Sequence, residues 1–132
     1  SHIPLILAFL KSGAFPQENS LSKDSEIVLQ AKATMLANLE TQTNLEALAK
    51  ELGVSYSRFR FAFKKQTGYS PREFENMIKL NRSRDLLLRE GMSVTETATA
   101  LGFSTVYYCS RAFKKHFGQS PKKWMDDSKR NQ

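Results

Sequence analysis

Apolar residues recur every three and four positions along most of this chain, and that spacing lays out a series of helices. Between Asp24 and Glu40, Val28, Ala31, Met35 and Leu39 form one stripe, which Ile27, Leu29 and Leu36 widen. This predicts a packing helix over about 24–41. Leu45, Leu48, Ala49 and Leu52 make one apolar face of a short helix at 44–52, and Phe59, Ala62 and Phe63 face the same core from a helix at 56–67. A long helix at 71–90 carries Phe74, Met77, Leu80, Ser83 and Leu87 on one side. Val94, Thr97, Ala98 and Leu101 then predict a helix at 94–101, Cys109, Ala112 and Phe113 one at 105–117, and Trp124 a last one at 121–127. No segment alternates convincingly with period two. The expected fold is all-α, with seven helices.

Helix boundaries are marked by chemistry as well as by period. Thr43 to Glu46, Ser70 to Glu73 and Ser93 to Glu96 have the capping-box form, in which the hydroxyl accepts an orphan N–H and the Glu reaches back. Ser55 and Ser104 are placed to start the helices at 56 and 105. Pro71 and Pro121 fall at the first helical position, where a missing N–H is harmless. Gly53, Gly68, Gly91, Gly102 and Gly118 each follow an apolar run, as C-terminal cap glycines do.

The pattern occurs twice. Val94, Ala98, Leu101 and Gly102 repeat Leu45, Ala49, Leu52 and Gly53. After one inserted residue, Phe113, Lys114, Lys115, Gly118, Ser120 and Pro121 repeat Phe63, Lys64, Lys65, Gly68, Ser70 and Pro71. A self-match at this distance marks duplicated structural units. Each unit has the shape of a helix-turn-helix. With the apolar faces turned inward, the second helix of the first unit presents Ser57, Arg60, Phe61 and Lys64 outward. Its counterpart presents Val106, Tyr107, Ser110, Arg111 and Lys114. Such a helix fits the major groove of B-DNA: the planar fork of Arg can bond guanine O6 and N7 together, and the point charge of Lys suits phosphates.

Charge supports a polyanionic partner. The net charge is +7, with a pI near 9.7. Residues 1–44 hold three lysines against four acids, whereas residues 45–132 hold 17 basic against nine acidic residues. The basic excess therefore lies in the repeats. The single cysteine, Cys109, rules out an intrachain disulfide framework and reads as a small core residue. His2, His116 and Cys109 have no metal-ligand spacing, so neither a metal nor another cofactor is expected. No nucleophile–base set, CxxC pair, phosphate-cradling loop or paired carboxylates emerge, and an enzyme is not expected. Double-stranded RNA suits a recognition helix poorly, because the A-form major groove is deep and narrow.

The ends carry less information. Ile3 to Leu10 is apolar but far shorter than the roughly 20 residues that cross a bilayer. It lacks the basic start and cleavage site of a secretory signal. Ser1 and His2 read as the edge of a fragment or a cleavage scar. Residues 1–23 are expected to be a tail or linker, with Lys11 to Lys23 a loop, and the apolar run either the end of an upstream regulatory domain or a segment packed on this one. Asp126 to Gln132 is polar and expected to fray.

Taken together, Leu48-Ala49-x-x-Leu52-Gly53-x-Ser55, Phe63-Lys64-Lys65-x-Thr67-Gly68-x-Ser70-Pro71, Ala98-x-x-Leu101-Gly102-Phe103-Ser104 and Ser110-Arg111-x-Phe113-Lys114-Lys115-x-Phe117-Gly118-x-Ser120-Pro121 resemble the DNA-binding domain of the AraC/XylS family of bacterial transcription regulators. The resemblance covers about residues 24–125. It implies two helix-turn-helix subdomains, 24–90 (including a linker helix at 71–90) and 91–127, followed by a polar tail at 128–132. It implies recognition helices 56–67 and 105–117 in consecutive major grooves of double-stranded DNA, about 34 Å apart. Carried over by position, Ser57, Arg60, Phe61, Val106, Tyr107 and Arg111 would read bases. Ser55, Arg58, Lys64, Arg82, Ser104, Thr105 and Lys114 would contact phosphates. Two positions depart from the family pattern. Phe61 stands where many members have Arg, leaving Arg60 and Arg58 to supply charge, and Val106 can touch a thymine methyl but cannot hydrogen-bond a base. The other linker-helix residues, Lys79 and Arg89, are assigned to solvent. RNA polymerase, an upstream effector-binding or dimerisation domain outside this chain, and a cytoplasmic, nucleoid-associated location complete what the resemblance implies. A helical protein-interaction module that binds no nucleic acid is the alternative.

Overall fold

A computed structural model describes residues 16–131, with side chains from Lys23 onward. The Ile3–Leu10 run and most of the expected tail lie outside the described residues. Among the described residues there are seven helices: α1 (Pro16–Ala37), α2 (Leu45–Glu51), α3 (Tyr56–Thr67), α4 (Pro71–Leu88), α5 (Val94–Ala100), α6 (Val106–Phe117) and α7 (Pro121–Arg130). There is no strand among the described residues. None of these helices is long and apolar enough to cross a membrane.

Two apolar cores organise the helices. In the first, Ile27, Val28, Ala31 and Met35 of α1 meet Leu45, Leu48 and Ala49 of α2 and Phe59, Ala62 and Phe63 of α3. Phe63 stands edge-on to both Phe59 and Phe74, with ring centroids 5.9 and 5.3 Å away. The buried stripe of α1 is narrower than expected, because Leu29 and Leu36 are 68% and 57% exposed. Both sit on helix positions rotated away from the Val28–Ala31–Met35 line. In the second core, Leu80 and Leu87 of α4 pack with Phe113, and Val94, Phe103, Ala112, Phe117, Trp124 and Met125 close around them. Cys109 of α6 is also buried, and burial pushes its thiol up to about 11, an unreactive core group as expected.

Most predicted boundaries agree, and the differences have local causes. The first helix starts at Pro16 instead of near Asp24, so Pro16 to Lys23 is helix where a loop was expected. That segment has little apolar periodicity; it extends a helix already nucleated by its buried stripe, and propagation is far easier than nucleation. The cap of α2 is Asn44, not Thr43: Asn44 Oδ1 accepts the Ala47 N–H at 3.1 Å. Thr43 instead donates its backbone N–H to Glu75 Oε2 at 3.1 Å. Likewise α6 is capped by Thr105, whose hydroxyl accepts the Tyr108 N–H at 2.9 Å, and not by Ser104. The inserted residue of the second unit falls in this turn and moves the cap along by one. Ser55, by contrast, caps α3 as expected, and both boxes at Ser70/Glu73 and Ser93/Glu96 are complete. At the far end α7 continues to Arg130 instead of fraying from Asp126, because Ser120 caps it and Trp124 and Met125 hold it on the second core.

The largest departure concerns Lys79. Assigned to solvent from the sequence, it is 2% exposed. Its Nζ donates to the Thr41 carbonyl at 2.7 Å and lies 5.8 Å from the Phe103 ring centroid. Burial pushes the ammonium below its usual range, and the neighbouring Glu75 carboxylate opposes that shift. Glu75, 1% exposed, pairs with Arg72, and Arg72 Nη2 donates to the Thr43 carbonyl at 2.9 Å. The segment after α1 is thereby held against α4. On its other side stands the turn of the second unit. A Cβ on Gly102 would lie 2.6 Å from the Glu40 carbonyl oxygen and 2.8 Å from Thr41 Cα. The equivalent glycine of the first unit, Gly53, has nothing within 4 Å.

Two predictions follow from this packing. Gly53 and Gly102 both have left-handed backbones, at φ +78° and +70°. Gly53→Ala is expected to cost about 1–2 kcal/mol, the left-handed penalty alone. Gly102→Ala adds a collision with backbone and should cost about 1–3 kcal/mol more, read from urea midpoints. The second prediction concerns acid. The Ser70 hydroxyl and backbone N–H hold Glu73 below the usual carboxylate range, and the Ser93 backbone N–H and hydroxyl do the same for Glu96. A depressed carboxylate contributes stability above about pH 4.3 and loses it as pH falls through the folded value. Denaturation curves between about pH 6 and pH 3 should therefore fall less steeply for the Glu73→Gln/Glu96→Gln variant than for the parent.

Candidate nucleic-acid interface

Within each unit a short helix lies behind a 12-residue helix, α2 behind α3 and α5 behind α6. One face of the longer helix is taken up by the core. Phe59, Ala62 and Phe63 are 0% exposed in α3, as is Phe113 in α6. Helical geometry then forces the intervening residues outward. Ser57, Arg60, Phe61 and Lys64 are exposed on α3, and Val106, Tyr107, Arg111 and Lys114 on α6. Ser110 is half-buried. Phe61 and Tyr107 stand 61% and 68% exposed, large rings left out of either core.

The outward arginines share an arrangement. The Arg60 guanidinium lies 5.7 Å from the Tyr56 ring centroid, and that of Arg111 lies 5.6 Å from Tyr107. In each helix the tyrosine stands one turn before the arginine and supports its planar group without occupying its N–H donors. Lys65 sits similarly over Phe61 at 5.9 Å. The two arginines are not at equivalent positions, since the first-unit counterpart of Arg111 is Phe61. The guanidinium of the first unit is displaced by one residue around its helix.

The remaining candidate residues divide by what already engages them. Ser55 and Thr105 accept backbone N–H groups as caps, which leaves each hydroxyl proton available at an exposed helix N-terminus. Ser104 is exposed beside Thr105. Arg58 Nη2 donates to Asp24 at 2.7 Å and thus ties α3 to α1. Arg82 lies between Asp85 at 3.8 Å and Glu90 at 3.6 Å, all three half-exposed. Lys64 and Lys114 are exposed.

One residue was missed from the sequence. Asn76 of α4 donates to the Tyr108 hydroxyl at 2.9 Å, joining the linker helix to the start of α6. Tyr108 falls between outward Tyr107 and inward Cys109, so periodicity alone assigns it to neither face. The Phe103 ring, 6.1 Å away, completes its surroundings. Between α4 and α6 an open cleft is lined by Ser70, Asn76, Thr105, Tyr108, Arg111 and Lys115, among others.

Two duplicated units, each offering an Arg- and Lys-bearing helix from a small apolar core, define a helix-turn-helix protein. Residues 48–127 match the family described as a helix-turn-helix domain. Over 114 residues the chain is 31% identical to the Msm operon regulatory protein of Streptococcus mutans, covering 86% of this chain and 41% of that one. Among solved structures, an AraC-type DNA-binding regulator from Chromobacterium violaceum superposes with TM-score 0.68 at 28% identity, over 75% of this chain and 88% of that one. The DNA-binding domain of AdpA, solved with a target DNA, shares the fold with TM-score 0.74 at 24% identity, over 80% of this chain and 95% of that one. The chain belongs to the AraC/XylS family of transcription regulators and carries its DNA-binding fold. That family is one of regulators and not of enzymes, and membership displaces the interaction-module alternative. The chain spans less than half the length of the curated relatives it matches.

The face assignment can be checked without DNA. Phe61→Ala and Tyr107→Ala should change stability by no more than about 0.5 kcal/mol, because neither ring is packed in a core. Phe59→Ala and Phe113→Ala, on the same helices, should each cost about 3–5 kcal/mol in thermal or urea unfolding.

Proposed function

We propose that this chain recognises operator DNA for a bacterial transcription regulator, with α3 and α6 entering consecutive major grooves on one side of the duplex. The observation that carries this reading is the repeated exposure of a tyrosine-backed arginine and a lysine on the outer face of a capped helix. Arg111 and Arg60 are the principal base readers, each able to bond guanine through two N–H groups. Ser57 and Tyr107 add polar contacts to base edges. Phe61 and Val106 contribute apolar surface suited to thymine methyl groups.

Phosphate contacts set the register on the duplex. Ser55 and the Ser104–Thr105 pair supply hydroxyls at helix N-termini, where the helix dipole also favours an anion. Lys64 and Lys114 supply charge. Arg58 and Arg82 have carboxylate neighbours and contribute less, each reaching a phosphate only by sharing or leaving its acidic partner. On this reading residues 24–90 form one reading unit with its linker and 91–127 the second, ahead of a short polar tail. An upstream effector-binding or dimerisation domain, contact with RNA polymerase, and work at the nucleoid in the cytoplasm belong to the same proposal. The partial coverage of the longer relatives supports the first of these.

Two variants separate the two kinds of contact. Arg111→Ala should cost about 1–3 kcal/mol on the preferred site and relax specificity at one base pair. Lys64→Ala should weaken every duplex alike and reduce the slope of log K against log salt by about one. Unchanged sequence preference in Arg111→Ala would remove α6 from the groove.

A further inference from the structure

The duplicated units are alike on their outer faces and unlike where they meet. Gly53 and Gly102 hold the same place in the two turns, yet only Gly102 lies against another part of the chain, the Glu40–Thr41 backbone. Lys79 grips the same backbone from α4 through the Thr41 carbonyl, and its ammonium sits over Phe103 of the second unit's turn. Glu75 and Arg72 hold Thr43 two residues further on. The end of α1 belongs to the first core, and Phe103 belongs to the second. These contacts therefore form a seam between the two units, in addition to the covalent link through α4. Asn76 and Tyr108 add a second tie nearer the exposed face.

A buried lysine is a costly way to fill this space, since a methionine would occupy similar volume without desolvating a charge. What the ammonium adds is direction, because its bond to one carbonyl fixes the Glu40–Thr43 segment against α4. We propose that Lys79 and Gly102 are positioning residues that set the permitted spacing between the two half-sites, without touching DNA themselves. The inference rests on the reading that both α3 and α6 enter the major groove.

One base pair added between half-sites moves one of them about 3.4 Å along the duplex and turns it by roughly 35°. Hydrogen bonds to base edges are made over only about 2.7–3.2 Å, so rigidly joined readers cannot satisfy both halves at the wrong spacing. Loosely joined readers can, because a flexible connection lets the second unit find its half-site at a lower effective concentration. Rigidity at the seam therefore becomes sequence-length discrimination on DNA.

The test measures affinity for the preferred operator and for versions with one base pair inserted or deleted between the halves. The parent protein should lose about 10-fold or more at either altered spacing, equivalent to losing one good base contact. Lys79→Met and Gly102→Ala should bind the preferred spacing more weakly, with the spacing penalty reduced to about 3-fold or less. Lys79→Arg, which keeps a donor and a charge, should retain more of the parental preference than Lys79→Met. Asn76→Ala alters only a half-buried surface bond and is expected to fold, giving an intermediate penalty even where a seam variant is insoluble. Equal weakening at all three spacings in the folded variants overturns the proposal while leaving two-groove reading intact. Absence of any spacing preference in the parent overturns both.

Discussion

The Lys79 ammonium and the Thr41 carbonyl make the interaction on which the arrangement of this molecule most depends. The ammonium alone would be a buried charge with a desolvation cost, and its bond to the carbonyl pins the segment after α1 to the middle of the linker helix. Glu75 repeats the device one turn earlier by accepting the Thr43 N–H, and Arg72 neutralises it while holding the Thr43 carbonyl. Gly102 closes against the same backbone from the opposite unit. Four residues of loop, Glu40 to Thr43, are thus held between α4 and the turn at Gly102, and the two helix-turn-helix units meet there.

Duplication explains the outer faces and not this seam. In both units the core takes Phe, Ala and Cys-sized residues from one side of the second helix, and an Arg and a Lys are left outward because a helix offers no other place for them. The cores differ in size. The first gathers α1, α2 and α3 with Phe74, whereas the second relies on Leu80 and Leu87 of the linker helix and on Trp124 of α7. The long helix α4 is consequently part of both cores, and it carries along its polar side the groups that lock them together.

Legibility in the sequence followed the kind of signal available. Periodic apolar stripes, Ser-x-x-Glu boxes and cap glycines are local, and the helices and the outward placement of Arg60, Arg111, Lys64 and Lys114 were readable from them. Features set by long-range partners were not. Thr43 has the local form of a cap, but Glu75, 32 residues away, takes its N–H and Asn44 caps instead. Lys79 lies on the polar arc of its helix, and only the fold brings Thr41 and Phe103 to it. Leu29 and Leu36 widen the apolar stripe in the sequence, yet the line from Val28 to Met35 is enough to bury α1 without them. The roles of individual side chains toward bases and phosphates depend on a partner molecule, which the chain's own packing does not contain.

Selection from a random duplex library, with the bound sequences read out, tests the central claim most directly. Two readers held in one frame should enrich a bipartite motif whose halves lie about 10 base pairs apart at a single spacing. A single half-site with random flanking sequence, or no enrichment and binding that collapses with salt, would contradict the account of α3 and α6 as paired readers.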